Sequence, residues 1–211
     1  MPPLAAPPAS GGVAGLLIYS HMANQLIKSA SNIIRAGGIV AFPTDTVYGI
    51  GAMPFNEKSV QRLYKIKKRE RKKPIALLVS SKKMAEKFAE KIPAKAKRLI
   101  AKYWPGPLTI VFRKKRSVPD FLTSGFKTIG IRMPKNDIAL KLIRLSGGAL
   151  AVTSANISGG KPATSARQLK KLKGIDLIID GGRCKIGIPS SVVAVMGNEL
   201  RILRKGPDLK L

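Results

Sequence analysis

The sequence predicts an α/β protein built around a mixed β-sheet. Short apolar runs alternate with stretches of helical periodicity along most of the 211 residues, which is typical of a sheet flanked by helices. Near the end of the chain, Gly197-Asn198 separates two apolar runs, which is the signal of a two-residue hairpin. A hairpin adds antiparallel pairing to a sheet that alternation alone would make parallel, so we expect a mixed sheet.

The strands are predicted from short apolar runs bounded by Gly, Pro or polar residues. In chain order they cover residues 38–42, 75–79, 108–112, 127–134, 148–152, 176–179, 192–196 and 199–203. Two of them, 75–79 and 148–152, are apolar without interruption, so we expect both of their faces to be buried.

The first helix is predicted from Ser20 to Ala36, because an apolar stripe recurs there at helical spacing and Gly37-Gly38 follows it. The stripe consists of Met22, Leu26, Ala30 and Ile33. Three later helices are predicted to begin after residues that often cap helices, namely Asn56, Asn136 and Ser165. Two basic helices are predicted over residues 82–90 and 94–103.

The chain is predicted to form one domain, residues 16–211, after a disordered segment of residues 1–15 that is rich in Pro, Gly and Ala. Gly15–Tyr19 could add an edge strand. No apolar run approaches the roughly 20 residues that span a bilayer, and the N-terminus lacks the charges of a signal or transit peptide. We therefore expect a cytoplasmic protein that does not contact membranes.

The charge balance is the unusual feature of the composition. Lys and Arg total 39 against 11 acidic residues, which gives a net charge of +28. So positive a field attracts polyanions such as nucleic acids and nucleotides. A basic bias of the whole proteome would give the same net charge without any such partner. With one cysteine, Cys184, and one histidine, His21, the chain can form neither an internal disulfide nor a Cys/His zinc site.

Three polar loops follow apolar strands, at residues 43–49, 132–136 and 153–165. Ligands of open α/β sheets bind outside the carboxyl ends of strands, so we expect these loops to line one cleft. The sequence contains neither a P-loop nor a complete dinucleotide fingerprint, since position 155 is Ala and "YGIGAM" lacks a third Gly. Side chains and irregular backbone would therefore have to hold any nucleotide.

The densest cation run, residues 65–73, has three possible interpretations: a solvated helix end, a non-specific RNA contact, or a specific anion site. Pro74 and a buried strand follow the run directly, which limits its movement and favours the anion site. Carboxylates are scarce, and none are paired at metal-ligand spacing. We therefore predict no metal ligands among the side chains and expect any Mg²⁺ to be held mainly by the phosphates of a substrate and by water.

Six motifs together resemble the YrdC-like family of L-threonylcarbamoyladenylate synthases, as a single YrdC-like domain. They are "PTDTVYGIG", "KKRERKKP", "WPGPLTIVF", "GIRMP", "TSANISG" and "PSSVVAV…ILRKG", and they extend over about residues 22–207. The resemblance implies a twisted mixed sheet with a large, positively charged concave cavity. It also implies a nucleotidyltransferase that forms threonylcarbamoyl-AMP and pyrophosphate from L-threonine, bicarbonate and ATP, for a downstream complex that modifies tRNA.

The resemblance also implies roles for individual residues. Lys67 and Arg69 would be catalytic. Threonine would be bound by Thr44, Tyr48, Arg69 and Arg132. ATP would be bound by Lys67, Lys73, Ser154, Asn156, Ser190 and Arg204.

Two hypotheses of other classes remain beside the synthase. A non-catalytic RNA-binding protein would use the same positive charge, and a binding module for small carboxylates or nucleotides would use the same loops. Charge alone does not explain why Thr44, Tyr48, Ser154 and Asn156 stand at strand ends, and this favours the synthase.

Overall fold

The computed structural model of the chain describes residues 12–196 and 199–210. The helices are α1 (Gly12–Arg35), α2 (Glu57–Lys67), α3 (Lys82–Ala85), α4 (Ala94–Tyr103), α5 (Asp120–Thr123) and α6 (Asp137–Leu145), with a 3-10 helix at Ala166–Lys171. The strands are β1 (Val40–Phe42), β2 (Gly49–Ala52), β3 (Ala76–Val79), β4 (Leu108–Arg113), β5 (Thr128–Arg132), β6 (Ala149–Ser154), β7 (Leu177–Ile178), β8 (Ser191–Met196) and β9 (Glu199–Arg204).

The strands form one nine-stranded sheet in the order β7-β1-β2-β6-β3-β5-β4-β8-β9. The pairs β1/β7, β3/β5 and β4/β8 are parallel, and the others are antiparallel. The predicted mixed sheet is therefore confirmed. So is the antiparallel pairing of the last two strands, although Gly197 and Asn198 lie outside the described residues.

Side chains alternate along each strand, so the two faces of the sheet have different surroundings. On β4, Ile110 and Phe112 enter the main hydrophobic core, which α2 and α4 cover, whereas Thr109 and Val111 point to the opposite face. On that opposite face, α1 and α6 cover β1, β3 and β6 with a second apolar cluster. The helices leave the same face open over β5, β4 and β8, and a cavity lies there.

The predicted caps are correct at two helices. The Asn56 side chain accepts a hydrogen bond from the amide of Ser59, and Asn136 accepts one from Ala139. Ser165 stands at the start of the 3-10 helix, but its side chain makes no capping hydrogen bond. No helix in the described ranges is both long and apolar enough to cross a bilayer.

The N-terminal predictions need correction. Residues 1–11 of the expected disordered segment lie outside the described residues, but α1 already begins at Gly12. The edge strand expected at Gly15–Tyr19 is wrong, because these residues belong to α1. The predicted stripe of α1 is correct at Ala30, but its other buried members are Ile27 and Ile34, with Leu26 and Ile33 only partly buried beside them. Met22 is 52% exposed.

Two further differences concern element bounds. The helix expected over residues 82–90 ends at Ala85. Strand β2, which had not been predicted, lies between β1 and β6, where Gly51 pairs with both Val40 and Val152. A Cβ atom on Gly51 would lie 2.8 Å from the Phe42 ring, so glycine is what lets this ring pack across the strand.

Candidate functional site

The open face of the sheet forms the floor of a cavity of about 590 Å³. This volume lies within the range of roughly 300–1,000 Å³ that is usual for small-molecule sites. Small residues, Ala76, Thr109, Thr128 and Gly130, leave the floor open.

The cavity gathers most of the residues singled out from the sequence. Its walls contain Thr44, Tyr48, Arg69, Lys73, Arg132, Ser154, Ser190 and Arg204. All three predicted ranges therefore contribute to one cleft, although the second and third do so through the ends of β5 and β6, at Arg132 and Ser154, rather than through the loops that follow. Five cationic side chains line the cavity, and no Asp or Glu does so among the described residues. An anionic ligand would meet only positive and neutral groups there.

Lys67 does not line the cavity but is buried behind its wall. This last residue of α2 is only 1% exposed, and its Nζ donates to the carbonyl oxygens of Ser154 and Asn156 at 2.5 and 2.9 Å and to Asn156 Oδ1 at 2.9 Å. Asn156 Oδ1 also accepts from Ser154 Oγ at 2.7 Å, and the Ser158 amide donates to the Lys67 carbonyl at 2.8 Å. The three ammonium hydrogens are thus occupied in holding residues 154–156 in place.

The surroundings of Lys67 also affect its protonation. Burial, and then the charge of Arg69, lower the pKa of Lys67 to about 8. The ammonium therefore remains mostly protonated at pH 7 and becomes neutral in mildly alkaline solution.

The cation run folds into a compact turn beside the cavity. Arg69 Nε donates to the carbonyl of Lys73 and its Nη2 to that of Pro74, both at 3.0 Å. Lys73 Nζ pairs with Glu70 at 2.7 Å. Burial lowers the pKa of Arg69. The turn holds Arg69, Lys72 and Lys73 at the cavity, which agrees better with an anion site than with a freely solvated helix end.

Arg132 is built into the base of the loop that follows β1. Its Nε donates to the Gly106 carbonyl and its Nη1 to Thr46 Oγ1, both at 2.9 Å, while Nη2 forms an ion pair with Asp45 Oδ1. Asp45 Oδ1 also accepts from the amide of Lys135 at 3.1 Å. Burial lowers the pKa of Arg132, and the Asp45 carboxylate opposes this effect. Three segments that are distant in sequence are thereby joined.

The first polar loop is held largely by its own side chains. Thr44 Oγ1 donates to the carbonyl of Val47 at 2.7 Å. The Tyr48 hydroxyl donates to the Gly182 carbonyl at 2.8 Å and accepts from the Gly181 amide at 3.1 Å. Burial raises the pKa of Tyr48. Because this hydroxyl is engaged with residues 181–182, any contact of Tyr48 with a ligand would have to come from the rest of the residue.

Ser190 and Arg204 form the opposite wall. Arg204 Nε and Nη2 donate to the Ser190 carbonyl at 3.0 and 2.9 Å, and Nη2 also reaches Ser190 Oγ at 3.2 Å. Thr109 Oγ1 lies 2.8 Å from Ser190 Oγ. Burial, and then the charges of Arg132 and Arg69, lower the pKa of Arg204. The positive charges of Arg132 and Arg69 therefore lie close enough to Arg204 to disfavour its protonated form.

The site also contains residues that were given no individual role from the sequence, among them Asp45, Thr46 and Thr109, whereas Lys72 was noted only as part of the cation run. Each lies inside a quoted motif, so membership of the motif was the available signal. Cys184, to which no role was given, is buried, and burial raises the pKa of its thiol.

The family model Sua5_yciO_yrdC, described as "Telomere recombination", matches residues 32–206. The threonylcarbamoyl-AMP synthase of Pyrococcus abyssi is 42% identical over 182 residues, which are 85% of this chain and 54% of that protein. The putative threonylcarbamoyl-AMP synthase of Methanocaldococcus jannaschii is 41% identical, over 82% of both chains. The chain thus spans about half the length of the P. abyssi relative.

Solved structures agree with this relationship. The crystal structure of P. abyssi Sua5 complexed with L-threonine superposes with a TM-score of 0.84 at 41% identity, over 87% of this chain and 54% of that one. Escherichia coli YciO superposes with a TM-score of 0.81 at 28% identity, over 89% and 92% of the two chains. The family match, the identities and the shared fold together show that this chain belongs to the Sua5/YciO/YrdC family.

Proposed function

We propose that this protein is an L-threonylcarbamoyladenylate synthase, a nucleotidyltransferase that forms threonylcarbamoyl-AMP and pyrophosphate from L-threonine, bicarbonate or CO₂, and ATP. Relatives with this activity in their names support the proposal, as does the L-threonine bound to P. abyssi Sua5. The observation that carries it is the cavity, where five cations and several hydroxyls face a space without carboxylates in the described part of the chain.

The reaction needs positioning and charge neutralisation more than proton relays. The threonine nitrogen bonds to the carbon of CO₂ and loses a proton, which gives a carbamate. A carbamate oxygen then bonds to the α-phosphorus of ATP as the bond to the bridging oxygen breaks, and pyrophosphate leaves with the electron pair. Arg69, Lys72 and Lys73 supply fixed positive charge for the leaving pyrophosphate.

The two substrates would occupy neighbouring parts of the cavity. We assign Thr44, Tyr48 and Arg132 to the threonine end, with Arg69 reaching its carboxylate. We assign the ATP end to Lys73, Ser154, Ser190 and Arg204, and to Lys67 and Asn156 behind the wall. Since Lys67 Nζ is occupied by residues 154–156, it would act on ATP mainly by shaping that loop and by its charge.

Mg²⁺ would enter as part of the nucleotide substrate. Within the described residues, no group of three or more His, Cys, Asp or Glu side chains could hold a metal ion, and the cavity walls carry no carboxylate. Such walls suit Mg²⁺ that keeps ATP phosphates and water as its ligands. When bound, the ion would add to the neutralisation of the leaving pyrophosphate.

The proposed activity predicts pyrophosphate release that requires threonine and bicarbonate together. The reason is that the attacking carbamate forms only when both are present. The measurement is pyrophosphate release from ATP with each co-substrate omitted in turn, beside the complete mixture. Release at the same rate without threonine or without bicarbonate would contradict the proposal, and no release in any mixture would favour a binding protein.

The product would be consumed by a complex that transfers the threonylcarbamoyl group to tRNA, in the cytoplasm.

The net charge of +28 also favours direct contact with RNA. We expect the affinity for tRNA to fall by at least about tenfold between roughly 50 and 200 mM salt, because bound phosphates release counterions. Fluorescence anisotropy with labelled tRNA measures this dependence, and an affinity that does not change with salt would exclude the contact.

A further inference from the structure

The hydroxyl of Thr109 belongs to the cavity wall, although none of the predicted roles includes it. Thr109 lies on β4, is 6% exposed and lines the cavity. Its side chain meets Ser190, which directly precedes the parallel neighbour strand β8. The two hydroxyl oxygens are 2.8 Å apart and are buried.

Counting hydrogens shows that this pair has a donor to spare. Two hydroxyls carry two hydrogens, and their mutual hydrogen bond uses one of them. Arg204 Nη2 donates to Ser190 Oγ, so this contact consumes an acceptor site and no hydroxyl hydrogen. Neither hydroxyl makes another hydrogen bond within the described residues. Whichever hydroxyl donates to its partner, one O–H hydrogen is left at the cavity wall.

We propose that Thr109 and Ser190 act as one unit, a hydroxyl pair that donates this hydrogen to an oxyanion of a bound substrate. The neighbouring Arg204 uses Nε and Nη2 to hold Ser190, which leaves Nη1 without a hydrogen bond in the described part of the chain. A hydroxyl donor beside a guanidinium suits a carboxylate or a phosphate. The oxyanion is therefore the threonine carboxylate or an ATP phosphate, and this choice of ligands rests on the proposed function.

The test removes the hydroxyl without changing the shape of the side chain. Thr109→Val leaves the Ser190 hydroxyl without the partner that orients it, so it is expected to raise the Kd of one ligand by about tenfold or more and to leave that of the other within twofold. Calorimetry with L-threonine and, separately, with a non-hydrolysable ATP analogue measures both. A weaker threonine complex assigns the carboxylate, and a weaker nucleotide complex assigns the phosphate.

Two further variants separate the pair from a structural role of Thr109. Thr109→Ser keeps the hydroxyl and should restore the wild-type Kd. The double variant Thr109→Val/Ser190→Ala should bind about as weakly as Ser190→Ala alone, because the pair acts as a unit.

Thr123 provides the matched control. It is a fully buried threonine on α5 whose hydroxyl has no partner among the described residues, and it does not line the cavity. Thr123→Val should therefore leave both Kd values unchanged.

The outcomes distinguish this inference from the proposed function. A Thr109→Val protein that binds both ligands like wild type, or loses both equally, overturns the role of the hydroxyl pair while the synthase proposal stands. A wild-type protein that binds neither ligand overturns both.

Discussion

Replacing Lys67 with methionine is expected to reduce pyrophosphate release by about 100-fold, the size of the loss that a displacement of about 1 Å in a positioning element can cause. Methionine fills a similar volume but donates no hydrogen bonds. The carbonyls of Ser154 and Asn156 and the Asn156 side chain would lose their shared donor. The loop that shapes the cavity wall would then relax, and the site would lose a positive charge.

Lys58→Met is the matched control, because Lys58 lies on the same helix but is exposed. It should release pyrophosphate at nearly the wild-type rate. The measurement is the initial rate with saturating threonine and bicarbonate, for variants whose circular dichroism spectra match wild type. A Lys67→Met rate within threefold of wild type would show that the ammonium network is dispensable.

The pH dependence gives a second readout of the same residue. Burial lowers the pKa of Lys67 from its ordinary 10.5 to about 8, so the cation and one donor hydrogen are lost above about pH 8. We expect the rate of the wild-type enzyme to fall as pH rises through about 8, and the residual rate of Lys67→Met to lack this step. The contribution of Lys67 to stability runs the opposite way and grows from about pH 8 to 10.5, because the unfolded chain binds the proton more tightly in that window.

The fold was largely predictable because most of its signals are local. Apolar runs indicated strands such as β3 and β6, and Asn56 and Asn136 marked helix starts. Strand β2 was missed because two of the four residues in Gly49-Ile50-Gly51-Ala52 are glycine, which is depleted in strands, and only Ile50 is of a type that strands favour. Its place in the sheet comes from pairing with β1 and β6, which short-range patterns do not reveal.

The site was predictable in its location but not in its contacts. Strand ends and motifs identified the residues that line the cavity. The partners of Thr109 and Asp45 are 81 and 87 positions away in the chain, so no spacing pattern links them. Lys67 illustrates the same limit, because a cation in a basic run suggests a phosphate contact, whereas the folded chain engages its ammonium with residues 154–156. Chemical type is read from sequence, but which donors remain free depends on tertiary packing.

Replacing Asp45 with alanine is expected to lower the free energy of unfolding by about 3–5 kcal/mol, the usual cost of leaving a buried charge without its partner. The side chains of Asp45 and Arg132 are only 7% and 6% exposed. In the variant, the Arg132 guanidinium would keep its contacts with Gly106 and Thr46 but would lose its counter-ion. For a protein of this size, the loss corresponds to a fall in Tm of roughly 6–20 °C.

The loss should depend on burial rather than on ion pairing as such, and two comparisons test this. Glu90→Ala breaks an exposed pair with Arg113, whose N–O distance is 3.1 Å and whose side chains are 57% and 74% exposed, and should cost at most about 1 kcal/mol. The double variant Asp45→Ala/Arg132→Met also removes the unpaired guanidinium and should recover at least half of the lost free energy of unfolding. Urea unfolding of the four proteins measures these differences. If Asp45→Ala costs no more than Glu90→Ala, or the double variant is less stable than Asp45→Ala, the buried pair does not stabilise the loop that follows β1, and the arrangement of Thr44 and Thr46 must depend on other contacts.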